Sequence, residues 1–94
     1  MGIHITEHAQ IRFIERAMGL DLTPCKEQDL KDHAILEELK VDREKLQDKM
    51  LGDKVKLMKI LAVMASLDSK IIIGVSDTHR LVFIGRTIVT VLPN

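Results

Sequence analysis

Three side chains near the start of the chain have the types and the spacing for work on a phosphodiester. His8, Arg12 and Arg16 occur at i, i+4 and i+8, so on a helix they form one narrow polar stripe, called here the basic stripe. Guanidinium groups present a fixed fork of donors to phosphate oxygens, and an imidazole can move a proton near neutral pH. The spacing indicates a phosphate-binding or catalytic stripe, but charged residues four apart are also common on helix faces that bind nothing.

Three further basic residues lie near the other end of the chain, at the predicted loops of a hairpin. His79 is a second candidate catalytic residue for proton transfer, and Arg80 and Arg86 are candidate phosphate-binding residues. We select them because loops at the edge of a sheet are where a site carried by a neighbouring helix can be completed.

A sheet is predicted over the last quarter of the chain. Three short runs rich in β-branched residues, 71–75, 81–84 and 87–92, are typical of strands. Only Gly85 and Arg86 separate the last two runs, and glycine at the first central position of a two-residue loop indicates a type II′ turn. We therefore expect a three-stranded antiparallel sheet, with residues 2–5 as a fourth strand in the alternative arrangement.

Helices are predicted over the first two thirds of the chain. One runs from residue 7 to about residue 18, since Thr6 is a typical N-cap and Gly19 a typical C′ residue. A second covers about 24–40, and a further segment capped by Asp42 ends at residue 51, unless the two pieces form one long helix.

The last predicted helix, residues 55–67, is apolar nearly all round. A helix of this kind is buried on more than one side, either between the sheet and other helices or in a dimer interface. The predicted fold class is α+β, with three or four helices followed by a three- or four-stranded antiparallel sheet in a single domain, residues 1–94.

The composition excludes a protein that is basic over its whole surface and binds nucleic acid in that way. Fourteen basic and fourteen acidic residues give no net charge, so any site for a polyanion must be a local patch. The two phenylalanines are the only aromatic residues, which leaves little material for stacking on RNA bases. Zero net charge and five methionines favour self-association, and we expect a homodimer.

The cysteine content and the hydropathy indicate where in the cell the protein is expected. Cys25 is the single cysteine, which excludes an intrachain disulfide and suits a reducing cytoplasm. The longest uncharged apolar run, residues 60–67, is too short to cross a bilayer, so we expect no membrane association. The sequence has neither a glycine-rich phosphate loop nor a zinc motif, so we expect no cofactor and no metal.

Two segments resemble a known superfamily. Residues 5–16, ITEHAQIRFIER, resemble the H-A-x-x-R-x-x-x-R start of small bacterial and phage proteins related to the barnase/colicin/RelE-like toxin ribonucleases. Residues 81–93, LVFIGRTIVTVLP, are similar to the closing hairpin and "TV" strand of those proteins. The resemblance implies helices packed on an antiparallel sheet and metal-independent cleavage of RNA. It assigns the site to His8, Arg12 and Arg16, with Thr90 as a further phosphate-binding residue.

Two functional hypotheses follow from these features. The first is a small cytoplasmic interaction or regulatory protein, phage-encoded and non-catalytic, which keeps the ribonuclease-like scaffold and binds a host or phage protein. The second is a metal-independent endoribonuclease with RNA as its substrate, in which one group deprotonates the 2′-hydroxyl and another protonates the leaving 5′-oxygen. Neutral charge and few aromatics favour the first hypothesis, and the basic stripe favours the second.

Overall fold

The computed structural model describes residues 3–64, 70–75 and 79–93. The α+β class predicted from the sequence is confirmed, with five helices and four strands in this part of the chain. In chain order the elements are β1 (His4–Ile5), α1 (Glu7–Arg16), α2 (Thr23–Glu27), α3 (Asp32–Glu38), α4 (Arg43–Leu51), α5 (Lys54–Met64), β2 (Lys70–Gly74), β3 (His79–Ile84) and β4 (Thr87–Pro93). The strands form one sheet in the order β1-β4-β3-β2.

The sheet is mixed, which corrects the antiparallel sheet predicted from the sequence. β2, β3 and β4 form the predicted antiparallel meander, but β1 pairs parallel to β4. Parallel strands need a long connection, and the chain forms all five helices between β1 and the other strands. Thr6 anchors the pairing, since its hydroxyl donates a hydrogen bond to the Ile88 carbonyl oxygen at 3.1 Å.

The helix predicted over residues 24–40 is in fact two helices, α2 and α3, and this raises the helix number above the three or four expected. Asp29 and Lys40 have left-handed φ angles of 59° and 52°, two residues beyond the ends of α2 and α3. A left-handed residue in this position ends a helix. Neither residue is glycine, so the sequence indicated the end near Lys40 only through the following cap Asp42, and it did not indicate the end near Asp29.

Aspartate side chains accept backbone hydrogen bonds near the starts of α2, α4 and α5. The Asp21 carboxylate, just before α2, accepts a hydrogen bond from the Thr23 amide at 2.9 Å. Hydrogen bonds from the Thr23 side chain and backbone hold the pKa of the Asp21 carboxyl below its usual value. Asp42 caps α4 as predicted, because its carboxylate accepts from the Lys45 amide at 3.2 Å.

The predicted hairpin between β3 and β4 is confirmed. Gly85 has a φ of 62° and Arg86 does not have a positive φ, which is the type II′ pattern. The register shifts once along the pair, because Phe83 lies opposite Ile88 whereas Val82 lies opposite Thr90. Val89 is therefore the extra residue of a β-bulge in β4.

The hydrophobic core lies between the helices and one face of the sheet. Its largest contributions come from α1 and from alternate positions of the strands, which are Ala9, Ile11, Phe13, Ile14, Ile71, Ile73, Leu81, Phe83, Ile88 and Val91. The opposite face, called here the outer sheet face, carries Ile72 and Ile84, which are 48% and 51% exposed. The molecule thus has a helical layer, a buried sheet face and an outer sheet face that remains partly apolar.

The apolar helix α5 is buried along one line only. Leu57 and Leu61 are in the core, but Val55 and Val63 are 66% and 80% exposed. The prediction that this helix packs between the sheet and other helices is therefore wrong for its described part. Its alternative, a role in an interface, stays a prediction.

Candidate functional site

His8 lies on the first turn of α1 between a carboxylate and a guanidinium. Its Nδ1 is 3.8 Å from Asp32 Oδ2, and its Nε2 accepts a hydrogen bond from Arg12 Nε at 3.4 Å. An accepting Nε2 requires a neutral imidazole whose proton is on Nδ1, the nitrogen that faces Asp32. The His8 side chain is 49% exposed, so this imidazole lies at the surface between the Asp32 carboxylate and the Arg12 guanidinium.

Arg12 is partly neutralised by Glu15 on the same helix. Arg12 Nη1 is 3.6 Å from Glu15 Oε1, and the other carboxylate oxygen of Glu15 accepts from Lys26 Nζ at 2.7 Å. Glu15 is only 19% exposed. Its carboxylate faces Arg12 and, through the hydrogen bond from Lys26, joins α1 to α2. An acidic group this close lowers the attraction of Arg12 for a phosphate.

Arg16 is occupied by the protein's own backbone. Its Nη1 donates a hydrogen bond to the Val91 carbonyl oxygen at 2.6 Å. This is a charge-assisted bond between the last turn of α1 and the last residues of β4. The third member of the basic stripe therefore holds α1 on the sheet and commits one of its five N–H donors to that contact.

His79 is a core residue, although the sequence analysis placed it at a hairpin loop. It is the first residue of β3 and is 3% exposed. Its Nε2 lies 2.9 Å from the Met50 carbonyl oxygen, which can only accept, so Nε2 carries the proton. Its ring also meets Phe13 edge to face, with centroids 4.8 Å apart. This geometry joins α1, α4 and β3 and leaves the imidazole closed to solvent.

The remaining predicted phosphate-binding residues do not converge on the basic stripe. Arg80 alternates with His79 and Leu81, which face the core, so it lies on the outer sheet face, where its Nη2 donates to the Pro93 carbonyl oxygen at 3.2 Å. Thr90 pairs with Val82 and shares that face. Arg86 occupies the hairpin turn, where its own carbonyl oxygen accepts from the His4 amide at 3.0 Å. The helical layer holds the basic stripe on the other side of the sheet.

The structure thus brings together His8 and Arg12 and adds two carboxylates that sequence reasoning missed, Asp32 and Glu15. Glu15 was visible as a neighbour of the stripe on the helix. Asp32 was not, because its approach to His8 depends on how α3 packs against α1. The result is a small, charge-balanced surface cluster.

A second feature is an apolar surface on α5, called here the α5 face and formed by Val55, Met58, Ala62 and Val63. Val55, Met58 and Ala62 recur at i, i+3 and i+7, so they form one line along the helix. Together with Lys54 and Lys59 they line a shallow groove. A line of exposed apolar side chains flanked by lysines is unusual on a helix that only covers a core.

Comparison with models of protein families, with curated proteins and with solved structures gives no match. The resemblance to toxin ribonucleases therefore remains a prediction carried by residues 5–16 and 81–93. No helix in the described part of the chain is long and apolar enough to span a membrane. The same described residues contain no group of three or more histidine, cysteine or acidic side chains placed to hold a metal ion.

Proposed function

We propose that this chain is a small non-catalytic interaction protein, built on a scaffold like that of the toxin ribonucleases, which binds a partner protein through its α5 face. The observation that carries the proposal is the exposure of this face, above all of Val55 and Val63. Burying an apolar side chain of this size stabilises a complex by roughly 1.5–3 kcal/mol when it is removed fully from water. A regulatory role through binding of a host or phage protein, in the cytoplasm, belongs to the same proposal.

Charge indicates what kind of partner fits. α5 carries three lysines and no acidic residue, and Lys54 pairs with Asp48 of α4. Within the described residues no carboxylate pairs with Lys56 or Lys59. We therefore propose a partner segment whose apolar residues recur at helical spacing and are flanked by Asp or Glu.

The contacts made by the residues of the basic stripe support a non-catalytic function. Arg16 is bonded to the Val91 carbonyl oxygen, and Arg12 lies beside Glu15. The second catalytic candidate, His79, is buried against Phe13. A phosphodiester site needs donors and a proton-transfer pair that converge on one open position. These residues instead serve contacts within the fold.

Selection of displayed random peptides against the wild-type protein tests the partner proposal. We expect the enriched peptides to be amphipathic and acidic, and to lose affinity for Val55→Glu and Met58→Glu variants. Ile84→Glu is the matched control, because Ile84 is also exposed but lies on the outer sheet face of β3. Peptides that bind all three variants equally would show that the α5 face is not the binding surface.

A metal-independent endoribonuclease is the second candidate, and one observation favours it. The Asp32–His8–Arg12 cluster has a carboxylate facing Nδ1 and a guanidinium at Nε2 of a solvent-exposed imidazole. When Arg12 turns from Nε2 to a phosphate, this imidazole can act as a general base through Nε2. In this alternative His8 and Arg12 act on RNA, and cleavage is lost in the His8→Ala variant while the fold is kept.

Self-association is also part of the proposal, with a homodimer as the expected form. Pairing of two α5 faces would bring the lysines of both copies together, because α5 has no acidic residue to face them. Like charges at close range disfavour such an interface. We therefore expect the homodimer to form through a surface other than the α5 face.

A further inference from the structure

β2 is an edge strand of the sheet, and its backbone groups can be assigned to the two sides of the strand. The Val75 amide donates to the His79 carbonyl oxygen at 3.4 Å, so these residues form a hydrogen-bonded pair of the antiparallel ladder. Such pairs alternate along a strand, so Ile73 and Ile71 also direct their N–H and C=O groups toward β3. Lys70, Ile72 and Gly74 therefore direct theirs away from the sheet.

Among the described residues, this edge shows little of the usual protection against pairing with another strand. β2 has five residues in continuous register with β3, without proline and without a bulge. The opposite edge, β1, has only two residues and ends at the helix cap Thr6. Natural proteins protect exposed edges with charges, prolines, bulges or short strands. In β2 the only such device is Lys70, at its first position.

We propose that β2 pairs with β2 of a second copy of this chain, antiparallel about a two-fold axis at Ile72. This inference rests on the proposed self-association and adds where it occurs and in which register. Ile72 lies opposite Ile72 of the second copy, and Lys70 lies opposite Gly74. Two four-stranded sheets thereby join into one of eight strands, with all the helices on one side and both outer sheet faces on the other.

The register follows from the backbone groups and the side chains of β2. Outward-directed residues must face outward-directed residues, which limits the two-fold axis to a few positions. An axis at Ile72 uses all five residues of the strand, whereas an axis at Ile71 or Ile73 leaves part of it unpaired. The axis at Ile72 also keeps the two Lys70 side chains apart, because each faces a glycine.

The small area of the contact predicts a weak dimer. A standard stable interface takes about 800 Å² from each partner. One five-residue strand supplies a smaller area, so the dimer forms in the micromolar range and dissociates on dilution. Its apolar contribution comes from Ile72, which is 48% exposed in the single chain and faces its own copy across the axis.

Charge substitutions at Ile72 test the register, because the two-fold axis places residue 72 opposite itself. We expect Ile72→Lys and Ile72→Glu each to sediment as a monomer at a concentration where wild type is dimeric. An equimolar mixture of the two variants should restore a dimer, since unlike charges then face each other. Ile84→Lys is the matched control and should stay dimeric, because Ile84 is similarly exposed but lies on β3.

Hydrogen exchange supplies a second measurement that needs no substitution. In wild type the amides of Ile72 and Gly74 should gain protection as concentration rises, whereas those of Ile71 and Ile73 should be protected throughout. A wild-type dimer that survives Ile72→Lys, with no concentration-dependent protection at Ile72, would overturn the edge pairing and leave self-association intact. A wild-type monomer throughout the micromolar range would overturn both, and would leave partner binding by the α5 face untouched.

Discussion

Arg16 Nη1 donates a hydrogen bond to the Val91 carbonyl oxygen at 2.6 Å, and this bond joins residues 75 positions apart in the chain. It connects the end of α1 to the end of β4, and these two elements also share the core through Phe13, Ile14 and Val91. The basic stripe is therefore divided. Its last member stabilises the fold, and its first two form a partly buried surface cluster with Asp32 and Glu15.

This division predicts different stability effects for two similar substitutions. Arg16→Ala should lower the free energy of unfolding by about 1 kcal/mol, because a charge-assisted hydrogen bond is lost at a partly exposed position. Arg12→Ala is the matched control and should change it by less than about 0.5 kcal/mol, since surface ion pairs contribute little. Urea unfolding followed by circular dichroism measures both. Equal, negligible effects would mean that the Arg16 bond adds nothing to the fold.

The burial of His79 predicts that it is a structural residue. His79→Ala should lower the free energy of unfolding by roughly 2–4 kcal/mol, because the edge contact with Phe13 and the hydrogen bond to the Met50 carbonyl oxygen are both lost. His8→Ala, at an exposed position, should change it by less than about 0.5 kcal/mol. Thermal unfolding of both variants gives the comparison. A His79→Ala variant as stable as wild type would contradict the packing described for α4 on β3.

Features with a local signal were predicted correctly from the sequence. Thr6 and Asp42 were recognised as helix caps because their type and position suffice to identify them. The turn at Gly85 and Arg86 was recognised because a two-residue loop that begins with glycine defines its own geometry. By contrast, Asp29 takes the left-handed conformation that glycine usually supplies, so the break between α2 and α3 was not visible.

Features that depend on distant parts of the chain were missed or misplaced. The parallel pairing of β1 with β4 depends on where the chain returns after five helices. The burial of His79 results from how α1 and α4 pack on β3, and the polar character of histidine favoured an exposed loop instead. Of the candidate site, the spacing of His8 and Arg12 was enough to predict their contact, whereas the approach of Asp32 was not.

Ile88 and Val89 of β4 predict unequal tolerance of a charge. Ile88→Asp should lower the free energy of unfolding by several kcal/mol, because Ile88 is fully buried against the helices and an unpaired buried carboxylate is heavily penalised. Val89→Asp should cost much less, since Val89 is the extra residue of the bulge and is only partly buried. Guanidinium unfolding of both variants checks this. Equal tolerance would mean that the strand is placed wrongly.

Two glycines with positive φ angles predict how the turn between α4 and α5 contacts the sheet. Gly52 and Gly19 have positive φ angles of 62° and 69°, so alanine is strained at either position, and more strongly at Gly52, whose ψ of −124° lies outside the αL region. A Cβ at Gly52 would also lie 2.5 Å from Val75 Cγ1, whereas a Cβ at Gly19 would meet nothing within 4 Å. We expect Gly52→Ala to lower the melting temperature clearly more than Gly19→Ala. Equal shifts would contradict the contact between this turn and the end of β2.

Titration of wild type with a labelled single-stranded oligoribonucleotide, at about 50 and about 200 mM salt, tests the proposed non-catalytic function most directly. We predict neither cleavage nor salt-sensitive binding, because Arg16 is bonded to Val91 and Arg12 is paired with Glu15. The contradicting result is salt-sensitive binding weakened by Arg12→Ala, together with cleavage that falls roughly 10²–10⁴-fold in a folded His8→Ala variant.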